Sequence, residues 1–280
     1  MCIEKDKERL AVLARIDEYE RKRWFNKDVE NDPPTIPLTA DKVDYLQKKL
    51  KNKILSRIIN KKAYNFILDL IKNGQLVIKE IKGIENFEKL LDQGVILTCN
   101  HFNAFDNFAI HNMVHPYIGT NLYKVIREGN FTSFPGLFGL FFRHCNTLPL
   151  SSNFSCMKLF IDAVATLLKK KQKILIYAEQ GMWWNYRKPR PLTNGAFNLA
   201  VNSMAPVLPI FITMEDTDKI GGDGFPIQAY TINVLEPIYP DPNKSRKENI
   251  DYMRDKNYQM WKEVYEKFYG IPLEYLPEEK

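Results

Sequence analysis

The sequence has no long uncharged apolar segment, and this absence limits how the protein can meet a membrane. No run of about 18 uncharged apolar residues, the length of a membrane-spanning helix, occurs in it. Residues 1–23 carry too many charges for the apolar core of a signal peptide. We therefore expect any membrane contact to be peripheral.

Cysteine is also scarce. Cys2, Cys99, Cys145 and Cys156 show neither the C-x-x-C spacing of redox motifs and zinc sites nor the density of a secreted disulfide scaffold. A reducing compartment fits this pattern best. We predict a cytoplasmic protein that rests on the inner face of the cell membrane.

The charge balance favours anionic partners. The chain has 40 Lys and Arg against 34 Asp and Glu, a net charge of +6, which suits lipid headgroups, a phosphorylated donor or nucleic acid. No block of basic residues is interleaved with aromatics as in a nucleic-acid-binding module. We accordingly predict an anionic membrane surface, and no nucleic acid, as a partner.

The N-terminal part reads as helical and interrupted. A charged helix is followed by a loop in which Pro33, Pro34 and Pro37 prevent regular helix. A basic amphipathic pattern then runs over residues 41–72 until Gly74 stops it. Such a helix either rests on anionic lipid or packs on the sheet.

Beyond Gly74, short β-rich runs alternate with helical ones, which is typical of an α/β layer fold. We predict a mixed sheet of about seven strands flanked by helices, with boundaries at 1–74 for the N-terminal helical segment and 75–280 for the α/β domain. The clearest helical patterns cover 154–171 and 249–269. The predicted strands cover residues 75–81, 95–100, 122–126, 146–151, 173–179, 206–212 and 228–235.

The most informative segment is VILTCNHFNAFDNFAI, a strand that ends at Asn100 and is followed by His101 and Asp106. Ligand sites gather at strand ends in open α/β sheets. A carboxylate on one imidazole nitrogen fixes the tautomer, so the other nitrogen can accept a proton from an alcohol. The contact requires the intervening residues to form a turn. The alternative, for an isolated histidine, is a structural role in a buried loop.

Four blocks in order over about 95–212 resemble the glycerolipid acyltransferases, typified by 1-acyl-glycerol-3-phosphate acyltransferase. Asn100 to Asp106 matches the family's Asn-His-x-x-x-x-Asp signature. Residues 178–181, Ala-Glu-Gln-Gly, resemble its Pro-Glu-Gly-Thr-Arg block. Residues 194–200 resemble its Lys-x-Gly-Ala-hydrophobic segment, and 205–210 resemble its Val-Pro-Val-Val-Pro-Val strand.

The resemblance implies the family's fold, its acyl-CoA or acyl-carrier-protein donor, and a His/Asp mechanism without a covalent acyl-enzyme. No permanently bound cofactor is implied. It gives His101 and Asp106 as the catalytic residues and a lipid hydroxyl, first that of 1-acyl-glycerol-3-phosphate, as the acceptor. The residues predicted to contact substrate are Asn100, Glu179, Gly181, Arg187 and Lys188.

The chain departs from the family where the acceptor phosphate is thought to be held. Met182 and Trp183 occupy the Thr and Arg positions of the Glu-Gly-Thr-Arg block, and Ser151 or Ser152 stands near a second expected Arg. Basic residues follow the two tryptophans. They either bind the phosphate in place of the family's arginines or belong to a solvated basic loop. The residues concerned are Arg187, Lys188 and Arg190.

The aromatic group after Glu179 and the histidine pair after Asp106 each have more than one interpretation. Trp183, Trp184 and Tyr186 can stack on a sugar, sit at a bilayer interface or form a buried contact. His111 and His115 lack the glutamate of the zinc-protease pattern, so we predict no metal site.

Functional alternatives to the leading acceptor also remain open. These are a glycolipid or other lysolipid acceptor, a thioester hydrolase, and a noncatalytic lipid-binding protein of the same fold. Cys99 is expected to lie behind the site as a small core residue rather than to act as a nucleophile, because in an extended strand it sits one pleat before His101.

Overall fold

The computed structural model describes residues 4–31 and 34–279; Cys2 and Pro33, named above, lie outside them. In this part of the chain seven strands form one sheet, and each predicted strand is present. The strands are β1 (Val77–Lys82), β2 (Val95–Cys99), β3 (Leu122–Arg127), β4 (Thr147–Leu150), β5 (Lys173–Ile176), β6 (Val207–Ile220) and β7 (Pro226–Val234).

Helices separate most of these strands. The helices are α1 (Lys7–Arg21), α2 (Leu50–Lys72), α3 (Glu85–Glu88), α4 (Asp106–Ile118), α5 (Glu128–Ser133), α6 (Gly136–His144), α7 (Phe154–Lys169), α8 (Gly195–Asn202) and α9 (Arg246–Tyr269). Within the described ranges, none of them combines the length and apolar character needed to cross a bilayer.

The sheet is mixed, as predicted. Its strand order is β1-β7-β6-β2-β5-β3-β4. β6 and β7 pair antiparallel while the other neighbours pair parallel, so β1 and β7 run against the other five strands. The prediction of a mixed seven-stranded sheet flanked by helices is confirmed.

The central strand β2 is covered on both faces. All five of its residues are buried, as a continuous apolar run predicts for a parallel central strand. One face packs on α2 and α4 through a cluster that contains Leu97 and Met113. The other face packs on α7, α8 and α9 through a cluster that contains Ile96. The carboxyl end of β2 is thereby held at a fixed place between two helical layers.

The clearest helical patterns are confirmed with small shifts at their ends. α7 begins after Asn153, whose side chain accepts hydrogen bonds from two backbone amides of the first turn. α9 begins three residues earlier than predicted because Ser245 and Glu248 form a capping box. Gly270, with φ 67°, ends it in the left-handed conformation.

Elsewhere the pattern is less complete. The apolar run from Phe131 to Phe142 is divided between the end of α5 and most of α6, and Pro135 precedes the first residue of α6. β6 extends to Ile220, eight residues beyond the prediction, because its polar outer half pairs with β7 in a projecting hairpin. The division at Gly74 into 1–74 and 75–280 stays a prediction.

Candidate active site

Strands β2 and β5 bring two chain segments to the same edge of the sheet. The strands are parallel, and Thr98 lies opposite Ile176. The residues that follow each strand therefore leave the sheet side by side. This register places the Asn100–His101 segment against the Tyr177–Glu179 segment.

His101 and Asp106 form a hydrogen-bonded pair. The His101 Nδ1 atom lies 2.8 Å from Asp106 Oδ2. Asp106 is the first residue of α4, and Oδ2 also accepts from the backbone N–H groups of Phe102 at 3.0 Å and Asn103 at 3.2 Å. A carboxylate at a helix N-terminus is favoured by the helix dipole. The intervening residues thus form the turn that the proposed contact requires.

Solvent reaches the His101 imidazole but not the Asp106 carboxylate. The His101 side chain is 21% exposed, whereas Asp106 is fully buried. Since Nδ1 faces Asp106, Nε2 is the nitrogen left for another partner. The Tyr177 ring stacks on the imidazole with centroids 3.8 Å apart, and its hydroxyl donates to Asp106 Oδ1 at 2.6 Å.

Glu179 binds the backbone of the His101 segment. It is buried, and its Oε2 accepts from the His101 backbone N–H at 3.0 Å. The same oxygen pairs with the buried Arg190 guanidinium at 2.9 Å, and Oε1 accepts from the Arg190 backbone N–H at 2.7 Å. These contacts make Glu179 a brace of the site.

The Arg190 guanidinium donates hydrogen bonds to backbone carbonyls in three separate parts of the chain. Its guanidinium donates to the carbonyls of Phe25 at 2.8 Å, His101 at 3.2 Å and Gly181 at 2.5 Å. It also lies over the Trp183 ring, 4.8 Å from the centroid. Arg190 is therefore committed to the protein interior rather than to a ligand.

Asn100 is likewise buried and engaged. Its side chain accepts from the Ile212 backbone N–H at 2.8 Å and donates to the Ile212 carbonyl at 3.0 Å. It thereby continues the pairing of β2 with β6 by one step beyond the strand. The predicted contact with substrate stays a prediction, and the two hydrogen bonds fix the backbone next to His101 against β6.

Comparison with known proteins identifies this domain. A sequence model of the family described as Acyltransferase matches residues 79–213, the span that holds every residue of the pair and its brace. Residues 79–213 belong to the acyltransferase family. The resemblance to glycerolipid acyltransferases drawn from the four blocks is confirmed.

A solved structure shares the fold of this chain. The crystal structure of the 1-acyl-sn-glycerophosphate (LPA) acyltransferase PlsC from Thermotoga maritima matches with a TM-score of 0.50 and 18% identity, over 76% of this chain and 79% of that chain. At this identity the likeness concerns the fold. A search of curated proteins finds no significant match.

The two cations predicted to contact substrate, Arg187 and Lys188, are paired with carboxylates of the same chain. Arg187 donates to Asp216 Oδ1 at 2.7 Å, and Lys188 donates to Glu20 Oε1 at 2.6 Å. Both predictions of a substrate contact stay predictions, because an anionic ligand has to compete with these partners.

The aromatic group after Glu179 faces inward. Trp183 and Trp184 are buried in a cluster with Val12 and Ile16 of α1, and Trp183 Nε1 donates to the Lys27 carbonyl at 2.8 Å. Of the three interpretations, buried contact is the one the structure supports. Gly181 is required by this packing, because a Cβ there would lie 2.9 Å from the Lys27 carbonyl oxygen.

A cavity of about 220 Å³ opens beside the His101 turn of the acyltransferase domain. Amide and aromatic side chains dominate its wall. The lining includes Gln75, Asn103, Trp184, Asn185, Gln228 and Tyr230. Asn103 reaches Asn185 at 3.3 Å, and Asn103 follows His101 by two residues. The cavity is thus within reach of the turn that carries the base.

Cys99, His111 and His115 pack within the protein, and none of them is placed as a nucleophile or a metal ligand. Burial, with the negative charges of Asp106 and Glu179, raises the pKa of the Cys99 thiol well above its usual range, as expected of a core residue. Burial lowers the pKa of His111 to about 2, and the His115 ring stacks on Tyr64 at 3.4 Å. Among the described residues, no group of three or more His, Cys, Asp or Glu could hold a metal.

Sequence reasoning missed Tyr177 and misassigned the surroundings of Arg190. The period of two along the β5 segment places residues 175, 177 and 179 on one side of an extended chain, but the contact of Tyr177 with Asp106 depends on the register of β5 against β2. The Arg190 contacts had no local signal, since Phe25 lies 165 positions away.

Proposed function

We propose that this acyltransferase moves a fatty acyl group from an acyl thioester to the hydroxyl of a lysophospholipid-type acceptor, first 1-acyl-glycerol-3-phosphate. The single observation that carries the proposal is the His101–Asp106 pair, 2.8 Å apart, at a strand end of an acyltransferase-family domain. The donor is acyl-CoA or acyl-carrier protein, without a permanently bound cofactor.

The proposed reaction needs one base and no protein nucleophile. His101 Nε2 takes the proton of the acceptor hydroxyl while that oxygen attacks the thioester carbonyl carbon. Local backbone N–H groups stabilise the resulting oxyanion. The C–S bond then breaks, and the imidazolium returns the proton to the leaving thiolate. Asp106 stays ionised and stabilises the imidazolium, as the carboxylate of a hydrolase triad does.

A second acceptor class is favoured by the surroundings of the site. Met182 and Trp183 stand where the family carries Thr and Arg, and Arg187 and Lys188 are paired within the protein. The neighbouring cavity is lined largely by amides and aromatic rings. Aromatic rings and amides suit a sugar face better than a phosphate dianion. A glycolipid or other uncharged lysolipid is therefore the second candidate.

A panel of acceptors distinguishes these candidates. With acyl-CoA as donor we expect product from 1-acyl-glycerol-3-phosphate, detected by mass spectrometry and by release of free thiol. A higher kcat/KM for a lyso-glycolipid would replace the leading acceptor by the second candidate. Thiol release that is equally fast without any acceptor would identify a thioester hydrolase, and no thiol release with any donor would leave a lipid-binding protein.

We also propose that the protein contacts the cytoplasmic face of the membrane peripherally, and the outer face of α2 supports the contact itself. Leu50, Ile54 and Ile58 follow one another at four-residue intervals, and each is more than half exposed. Large apolar side chains on one helical face, flanked by cations, are typical of helices that lie in a bilayer surface. The flanking cations are Lys48, Lys49, Lys51, Lys53, Arg57, Lys61 and Lys62.

We expect the protein to float with vesicles that contain anionic lipid, and Ile54→Ser with Ile58→Ser to weaken that binding at least tenfold. Burying an isoleucine side chain contributes roughly 1.5 kcal/mol or more, and 1.4 kcal/mol is a factor of ten. Leu159→Ser with Ile161→Ser is the matched control, because both residues are exposed on α7. Equal flotation of the two double variants would remove α2 as the docking face.

A further inference from the structure

Tyr177 touches both members of the pair that the proposed function uses. It follows β5 directly and precedes Glu179 by two residues. Its hydroxyl donates to Asp106 Oδ1 at 2.6 Å, and its ring lies 3.8 Å from the His101 ring at an interplanar angle of 16°. One side chain thus meets the carboxylate edge-on and the imidazole face-on.

The hydrogen bonds of Asp106 are divided between its two oxygens. Oδ2 takes His101 Nδ1 and the backbone N–H groups of Phe102 and Asn103, whereas Oδ1 takes Tyr177. The backbone donors fix the position of Oδ2. A donor on the opposite oxygen fixes the rotation of the carboxylate about its last bond, so Oδ2 keeps pointing at Nδ1.

We infer that Tyr177 is a positioning residue for the general base His101, an assignment that rests on the proposed function. Its hydroxyl orients the Asp106 carboxylate and draws off part of its negative charge. Its ring holds the plane of the imidazole. Tyr177 acts through these two groups and need not touch either substrate.

The hydroxyl remains a donor throughout the working pH range. Burial and the negative charge of Asp106 raise the pKa of Tyr177 well above its usual value of 10. Cys99 and Tyr230 also lie within the influence of Asp106, and burial raises the pKa of both, so they stay neutral. Two charged side chains also contact the His101 backbone: Glu179 accepts from its N–H, and Arg190 donates to its carbonyl.

Removal of the hydroxyl has a definite sign. The hydrogen bond from Tyr177 partly neutralises the negative charge of the Asp106 carboxylate. The carboxylate therefore attracts the protonated His101 imidazole less strongly. Without that bond, Asp106 stabilises the protonated imidazole more strongly. The unprotonated base then appears only at higher pH, and the acid limb of the pH–rate profile moves upward.

The test compares Tyr177→Phe, which keeps the ring, with Tyr177→Leu, which removes ring and hydroxyl. For Tyr177→Phe we expect kcat to fall about tenfold with KM within twofold, and the acid limb to rise by roughly one pH unit. Tyr177→Leu should lower kcat further. Tyr123→Phe, on the neighbouring strand β3, is the control and should leave kcat and the limb unchanged. Circular dichroism verifies folding of each variant.

A second measurement does not depend on turnover. We expect ¹⁵N NMR of the imidazole nitrogens, assigned with His101→Ala, to show the His101 titration at higher pH in Tyr177→Phe. An unchanged titration together with an unchanged acid limb would overturn the role of Tyr177. An NMR shift in a protein that transfers no acyl group would instead overturn the proposed function and leave the coupling to Tyr177 standing.

Discussion

Replacing His101 by Ala is expected to lower acyl transfer by roughly two to four orders of magnitude, the usual contribution of a general base. The physical reason is that the acceptor hydroxyl then has no group to take its proton as it attacks the thioester. Nε2 is the imidazole nitrogen that remains available, because Nδ1 lies 2.8 Å from Asp106. The measurement is the initial rate of thiol release at saturating donor and acceptor.

His115→Ala is the matched control for this variant. His115 is also a partly buried histidine, but its ring stacks on Tyr64 of α2 rather than at the strand ends. We expect the control to retain the full rate. A His101→Ala protein that transfers acyl groups as fast as the control would end the assignment of the base.

Replacing Arg190 by Met should reduce the free energy of unfolding by about 3–5 kcal/mol, the cost of breaking a buried ion pair from one side. Both Arg190 and Glu179 are buried, with 2.9 Å between their charged groups. The variant leaves the Glu179 carboxylate without its cation. It also removes the donor from the buried carbonyls of Phe25, His101 and Gly181.

Urea denaturation monitored by tryptophan fluorescence measures this loss. Arg187→Met is the control, because the Arg187–Asp216 pair has exposed fractions of 40% and 56%, and such surface pairs contribute about 0–1 kcal/mol. Equal unfolding midpoints for the two variants would show that the Glu179–Arg190 pair does not stabilise the fold.

The sheet and the reactive pair were predictable because their signals are local. The continuous apolar run of β2 requires cover on both faces, and the residues after such a strand must emerge at the sheet edge. His101 and Asp106 are five positions apart, so a single turn decides whether they meet. The start of α9 was also encoded locally, since Ser245 and Glu248 have the spacing of a capping box.

The surroundings of the pair could not be predicted in the same way. Tyr177 reaches Asp106 only because β5 pairs with β2 in one register, and the sequence of either strand does not specify that register. Arg190 stood among exposed-looking cations, yet its charge is neutralised by a glutamate that was expected to face the acceptor. Burial of a cation depends on contacts from distant segments, which spacing along the chain does not reveal.

The hydrogen bonds between the N-terminal residues and the segment that follows Glu179 determine how far the chain can be shortened. Family similarity begins at residue 79, yet the Phe25 and Lys27 carbonyls accept hydrogen bonds from Arg190 and Trp183. A fragment trimmed to the matched span would expose the indole faces that α1 covers and leave the guanidinium short of an acceptor. The N-terminal residues that supply these contacts lie outside the family match and therefore help to hold the loop that packs on the His101 segment.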